Sequence, residues 1–221
     1  GAALRGELAA QSEDRNIRLW REAIERGWRF VADSPWQVNW LREQTGIEAA
    51  PPFGGVNTRQ FRVIPGMRQD APPVRMLASG DPRWRKGTAM VMDAWARIEL
   101  DVERETYWGK HYTQTQLVES YNRAHIFCDA HLVGGWCNPV LEALACGAAV
   151  VCTATPCTEA FREATVQVPM GGAGAMAYEI RRLIDDEKAR QTLAQKGVAL
   201  AKRYDYSRVA ADFEAGLQAW L

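Results

Sequence analysis

The sequence predicts an α/β fold, a doubly wound parallel sheet preceded by an N-terminal helical remnant. Three observations predict it. From Val74 onward, short apolar runs alternate with helical periodicities, the β-α-β-α order that builds a parallel sheet covered on both faces. Ala148 to Thr153 is a continuous apolar run, as a strand buried on both sides should be. Gly80 and Gly134-Gly135 each follow a predicted strand and precede a predicted helix. Both therefore belong at the carboxyl edge of the sheet, where such folds bind ligands.

Residues 3–27 read as a helix, with Leu4, Leu8, Ile17, Trp20, Ile24 and Trp28 as buried positions. Trp28 to Ala32 reads as a short strand. Ser34-Pro35 opens a helix that runs to Thr45 and closes at Gly46. Ala49 to Val56 is rich in Pro and Gly and is the natural linker. Val74 to Gly80 is the first strand of the main unit, and Lys86 to Ile98 is the helix after it. Glu99–Val102 and Thr106–Gly109 are candidate strands. Thr113 to Arg123 is a helix with Leu117, Tyr121 and Ala124 on one side. His125 to Ala130 is a strand, followed by the Asn138–Cys146 helix and the Ala148–Thr153 strand. Thr165–Val168 is a last short strand. Helices over 172–185, 187–202 and 206–220 complete the chain, the last with Val209, Ala210, Phe213, Leu217 and Trp220 at helical spacing. The expected organisation is a tail and linker over residues 1–53 and a binding unit over 54–221. No internal repeat or low-complexity segment occurs.

The 221 residues carry 27 Lys+Arg and 27 Asp+Glu, so the formal net charge is zero. That balance argues against a nucleic-acid partner. The five cysteines form no Cys-x-x-Cys pair, and most sit in apolar runs, where a free thiol behaves as a small hydrophobe. They point to a reducing compartment without a disulfide framework or zinc site. No run approaches the ~18 apolar residues of a membrane span. A cytoplasmic location is expected, with peripheral attachment at the inner membrane face left open for a full-length enzyme. The chain begins Gly-Ala and reads as a fragment of something longer.

The chemistry concentrates in two segments. In Gly134-Gly135-Trp136-Cys137-Asn138-Pro139-Val140-Leu141-Glu142, a glycine loop leads into a helix start. Asn138 suits the N-cap and Pro139 the first helical position. Free N–H groups and the helix dipole then favour an anion. Glu142, one turn in, is suited to sugar hydroxyls beside that anion. The glycines allow backbone amides to approach a ligand closely. The second segment, Arg83-Trp84-Arg85-Lys86-Gly87, brings three cations to the same sheet edge, where they could neutralise a diphosphate. A diphosphate site beside a ribose-binding carboxylate describes a nucleotide-sugar site. His111, His125 and His131 form no metal cluster with one another. His125 reads as structural. His131 lies at the ligand edge, where a sugar contact and a satisfied loop histidine fit equally. One ring of Tyr107, Trp108 and Tyr112 could border a base.

These residues resemble a known family. From about Ser34 onward the chain is similar to the retaining family-4 glycosyltransferases of the GT-B fold, specifically their Rossmann-like C-terminal donor domain. Gly55-Val56-Asn57-Thr58-Arg59-Gln60-Phe61 resembles their linker motif, and Arg85-Lys86-Gly87 their diphosphate loop. Residues 138–151 resemble their signature helix and following strand. The resemblance implies that Glu142 holds the donor ribose and Lys86 the phosphates. Lys86 and Arg85 are then the catalytic candidates. Gly80, Arg83, Gly134, Gly135, Trp136, Asn138, Val140 and Glu142 are the donor-binding candidates. No cofactor and no metal are expected.

Three departures stand out. The first of the family's paired glutamates falls at Gly134. The first strand continues Gly80-Asp81 where Gly-Arg is usual, leaving Arg83 or Arg85 to supply the cation. The Ile98–Tyr112 connection is short. The implied activity is transfer of a sugar from a UDP-, GDP- or ADP-sugar to an unknown acceptor with retention, helped by a missing N-terminal domain or partner chain. A GT-B nucleotide-sugar epimerase and a non-catalytic sugar-nucleotide or partner-binding module are the alternatives.

Overall fold

The computed structural model describes residues 15–68 and 72–219. Five strands form one sheet: β1 Val74–Ala78, β2 Val102–Thr106, β3 Ile126–Asp129, β4 Ala149–Thr153 and β5 Val166–Val168. Their order is β2-β1-β3-β4-β5, and every adjacent pair is parallel. Met76 lies opposite Ile126, Ile126 opposite Ala149, and Val151 opposite Val166.

Strand periodicity explains why helices cover both faces. Met76, Ala78, Ile126, Cys128, Ala149 and Val151 point to one face and pack with Trp95, Met176 and Ile180. Those partners come from α3 (Thr88–Ala96) and α6 (Ala173–Asp185). Leu77, Phe127, Val150 and Cys152 point to the other face and pack with Tyr121, Leu141 and Leu144. These come from α4 (Gln114–Arg123) and α5 (Asn138–Ala145), and α7 (Glu187–Ala201) lies against α5. Burial of each large side chain is worth about 1.5–3 kcal/mol, so this two-sided core dominates stability.

The strand order matters for function. The chain leaves β1 outward to β2, then returns past β1 to form β3. The helices after β1 and β3 therefore cover opposite faces of the sheet, and the carboxyl edge between these two strands is the candidate ligand crevice.

Several elements differ from expectation. The helix predicted over 3–27 is seen over 15–25, here α1, and its earlier part, with Leu4 and Leu8, lies outside the described residues. Trp28 is 67% exposed rather than buried. The Trp28–Ala32 strand reduces to a single bridge, Phe30 to Ala49, because no longer strand lies beside it among the described residues. The helix after it, α2 (Pro35–Thr45), ends at Gly46 as expected. The two candidate strands at 99–102 and 106–109 are replaced by one between them, β2. Its charged Glu103, Arg104 and Glu105 hide it from an apolar-run reading and suit an edge strand, where charge discourages further pairing. The helix expected from Lys86 starts at Thr88; Lys86 lies in a 3-10 turn, Trp84–Lys86, set off by Gly87. A 3-10 helix, Pro156–Ala164, forms where no element is predicted.

The Ala49–Val56 linker is pinned at both ends, by the Phe30–Ala49 bridge and by a Val56–Asp205 bridge. Asp205 also accepts from Thr58 N at 3.1 Å and Ser207 N at 2.9 Å, so it ties the linker to the start of α8 (Tyr206–Gln218). Phe213 of α8 packs on Phe53 with ring centroids 5.8 Å apart. Position 220, the predicted end of that helix, lies outside the described residues. No described helix is long and apolar enough to cross a membrane.

Candidate functional site

The crevice between β1 and β3 gathers the predicted residues from two loops. The first follows β1. Gly80 turns the chain beside Thr106 of β2, with φ 74°. Asp81 is buried, and Arg83 closes on it: Arg83 Nε lies 3.0 and 2.9 Å from the two carboxylate oxygens. The hydrogen bonds from Arg83 hold the Asp81 carboxyl below its ordinary range. Arg83 also lies 5.1 Å from the Trp108 ring centroid. Its charge is thus committed within the protein. Arg85 is exposed, on the turn that follows Arg83. Lys86 points to His131, and its ammonium is hydrogen-bonded to Nε2 of that ring.

Gly87 explains how the loops come so close. Its φ is +61°, and a Cβ built there would lie 2.0 Å from the Ala130 carbonyl oxygen. Only glycine fits that conformation and that gap. A backbone bond from Leu132 N to Arg85 O, 2.8 Å, then staples the first loop to the second.

The second loop follows β3. His131 is buried, and its Nδ1 lies 2.8 Å from both oxygens of Asp129, itself buried. Thr153 Oγ1 donates to the His131 carbonyl at 2.6 Å. His131 is therefore a satisfied histidine, and it also reaches the candidate cation. His125 is structural: its Nδ1 accepts from Arg75 N at 3.0 Å.

The two glycines differ. A Cβ on Gly134 would meet only ordinary contacts, Cys157 Sγ and His131 Cδ2, each at 3.7 Å. A Cβ on Gly135 would lie 2.6 and 2.7 Å from the Asp33 carboxylate and 2.8 Å from Gln37 Nε2. Gly135 O also accepts from Trp36 Nε1 at 2.7 Å. Gly135 is where the segment before the linker touches the crevice. Burial raises the Asp33 pKa, partly offset by a bond from Ser34.

The start of α5 requires a correction. The N-cap is Cys137, not Asn138, and Asn138 makes no capping bond. Asn138 is exposed and already helical, which places Pro139 second. Pro139 lacks an N–H in either register, so the free donors of the first turn move by one residue without changing in number. Trp136 packs on Phe161 and Tyr204, at 4.8 and 5.2 Å between centroids, and Val140 is fully buried. Any ligand contact at Val140 must come from its backbone.

Glu142 is mostly buried and accepts from Tyr121 Oη at 3.1 Å on one oxygen. Burial raises its pKa, and the Tyr121 bond partly offsets this. Tyr121 in turn lies 3.2 Å from Tyr107 Oη. Tyr107 thus belongs to the Glu142 support rather than to an exposed base platform. Tyr112 donates to Glu105 at 2.6 Å, and Trp108 remains 48% exposed.

All five cysteines are buried and unpaired. Burial pushes the thiols of Cys128 and Cys146 up to about 12, and burial with the Asp129 charge pushes Cys137 well above its ordinary value. Such thiols keep their protons and are poor nucleophiles. Asp129, His131 and Cys137 bring one donor atom each within 4.8 Å, a grouping that spacing among the histidines alone did not reveal. There the ring and carboxylate are hydrogen-bonded to each other, and Cys137 Sγ lies 3.6 Å from Asp129 Oδ2 and 3.5 Å from His131 Nδ1.

Known proteins share this arrangement at the level of fold. The sucrose-phosphate synthase of Thermosynechococcus elongatus superposes with a TM-score of 0.74 at 18% identity, over 86% of this chain and 57% of that one. The chain thus spans a little over half the length of that synthase. Anabaena HepE, in a complex with UDP and glucose, superposes at 0.73 with 15% identity, over 93% of this chain and 67% of that one. The C-terminal domain of a glycosyl transferase group 1 family protein from Francisella tularensis superposes at 0.57 with 20% identity, over 68% of this chain and 99% of that one. No curated protein matches by sequence. A family profile described as glycosyl transferase-like matches residues 59–215, which include both loops of the crevice and Glu142. The chain belongs to this glycosyl transferase-like family.

Proposed function

We propose that the chain binds the donor of a retaining, family-4-like glycosyltransferase, a UDP-, GDP- or ADP-sugar, and that the intact enzyme passes the sugar to an acceptor. One observation supports this reading: Lys86 is hydrogen-bonded to His131, whose Nδ1 lies 3.5 Å from the sulfur of Cys137, the N-cap of the helix that carries Glu142. Cations at the mouth suit a diphosphate, and a carboxylate with one oxygen uncommitted suits a ribose diol. The HepE complex with UDP and glucose supports the ligand class.

Catalysis would rest on stabilising the departing diphosphate by Lys86, Arg85 and the α5 N-terminus. The binding needs no divalent cation, because the loop supplies the positive charge. The acceptor would be held by residues beyond this chain, in a further domain or a partner. A non-catalytic binding module is the second reading. It is favoured by the absence of a side chain at Gly134 and by the commitment of Arg83 to Asp81.

A thermal-shift panel of UDP, GDP, ADP and their sugars tests the binding. At least one should raise the melting temperature, and a flat panel would remove the donor reading. Turnover of the bound donor by a longer chain, supplied with acceptor lysate, separates enzyme from module.

A further inference from the structure

We propose that His131, oriented by Asp129, is a positioning residue for Lys86, holding its ammonium at the β1–β3 crevice for an incoming diphosphate. The inference rests on the diphosphate reading of the Lys86 loop but is argued from geometry of its own. Nδ1 of His131 lies 2.8 Å from both Asp129 oxygens, and the His131 backbone N–H donates to the same carboxylate at 3.1 Å. An ionised carboxylate only accepts, so Nδ1 carries the ring proton. The neutral ring then presents a lone pair at Nε2. An ammonium has N–H groups and no lone pair, so Lys86 must be the donor in the Lys86–His131 bond.

The ring itself cannot wander. It is buried, its carbonyl is held by Thr153, and the neighbouring backbone is fixed by the Leu132–Arg85 bond and the Gly87–Ala130 contact. A fixed acceptor on a buried loop therefore anchors a long, flexible cation on a half-exposed one. The remaining two N–H groups of Lys86 are left for phosphate oxygens. The arrangement is that of a second group orienting the one that meets the ligand. Asp129 sets the tautomer, His131 sets the position, and Lys86 makes the contact.

The test uses calorimetry with UDP and with inorganic pyrophosphate on wild type, Lys86→Ala, His131→Ala, His131→Gln and the Lys86→Ala/His131→Ala double variant. His131→Ala should weaken both ligands about five- to tenfold, the usual scale of one hydrogen bond. His131→Gln should recover most of this, because its amide oxygen can accept near the Nε2 position. In the Lys86→Ala background, His131→Ala should cost almost nothing more, because the two act as one unit. Additive losses, or no loss in His131→Ala while Lys86→Ala is weakened, would overturn the proposal.

A ligand-free readout stands beside these. Long-range proton–nitrogen NMR should show His131 protonated at Nδ1 and bare at Nε2, with the Nε2 resonance moving in Lys86→Ala. A ring protonated at Nε2 would overturn the positioning role even if a variant fails to fold. If neither ligand binds wild type, the diphosphate reading falls, while the NMR result still decides whether His131 holds Lys86.

Discussion

The two loops of the crevice reach the same sheet edge by opposite means. The loop after β1 is exposed and charged: Trp84 is 74% exposed, and Arg85 stands in solvent. The loop after β3 is anchored at both ends by buried residues, His131 and Cys137, although Val133 between them is 59% exposed. The exposed loop carries the charge, and the buried loop decides where that charge sits. A hydrated cation avoids the desolvation cost of burial until a ligand arrives. A buried loop can hold a position because its neighbours leave no other packing. A diphosphate site needs both properties, and here they come from different strands.

Breaking the seam between the loops should have the largest effect. Gly87→Ala places a methyl against the Ala130 carbonyl at a positive φ, and should destabilise the fold by about 3 kcal/mol or more. Urea unfolding measures it, and a loss below about 1 kcal/mol, the ordinary mutational scale, would mean that the seam is loose. Removing the charge without touching the seam separates binding from stability. Lys86→Ala should weaken nucleoside diphosphate binding by about 1.5–3 kcal/mol, the worth of a bond to a charged group, while melting hardly changes. Equal affinities would return the exposed loop to a solvated turn.

Glu142→Gln probes the buried side. A carboxylate can accept two bonds from a ribose diol, whereas an amide has one accepting atom. Wild type should prefer a ribonucleoside diphosphate over its 2′-deoxy form, and the variant should lose about 1 kcal/mol of that preference. Burial raises the folded pKa of Glu142, so its ionised form destabilises the fold above that pKa. The cost disappears below the unfolded value of about 4.3. The variant should therefore melt at or slightly above wild type at pH 7, with the gap closing toward pH 4. A variant that melts well below wild type at pH 7 would show that the carboxylate is structural. The smallest contrast lies within one dipeptide. Gly135→Ala should displace Asp33 and lower stability measurably, whereas Gly134→Ala should stay within about 0.5 kcal/mol of wild type. Equal effects would mean that the segment before the linker does not press on the crevice.

What sequence could show follows the same division. The buried strands β1, β3 and β4 announce themselves as apolar runs, and the glycines beside them mark the ligand edge. Glu142 is singled out by the glycine loop and helix start before it and by the resemblance of residues 138–151 to a family's signature helix. The edge strand β2 is masked by its charges, and the helix start moves to Cys137, whose side chain makes no capping bond and so leaves no sequence signal. Tertiary pairing is what sequence hides. Lys86 and His131 are 45 positions apart, and only the β1–β3 adjacency brings them together. Likewise, Arg83 reads as a free cation until Asp81 is seen to claim it, and nothing local links Tyr121 to Glu142. The Asp81-x-Arg83 spacing was the one available hint of that pairing.

The exposed cations and the start of α5 are proposed to form a diphosphate site that needs no metal. Calorimetric titration of UDP and GDP into the chain, with EDTA and without, tests it most directly. At least one nucleotide should bind with the same affinity in both conditions. Absence of binding to either nucleotide, or binding that is lost in EDTA and restored by a divalent cation, would contradict it.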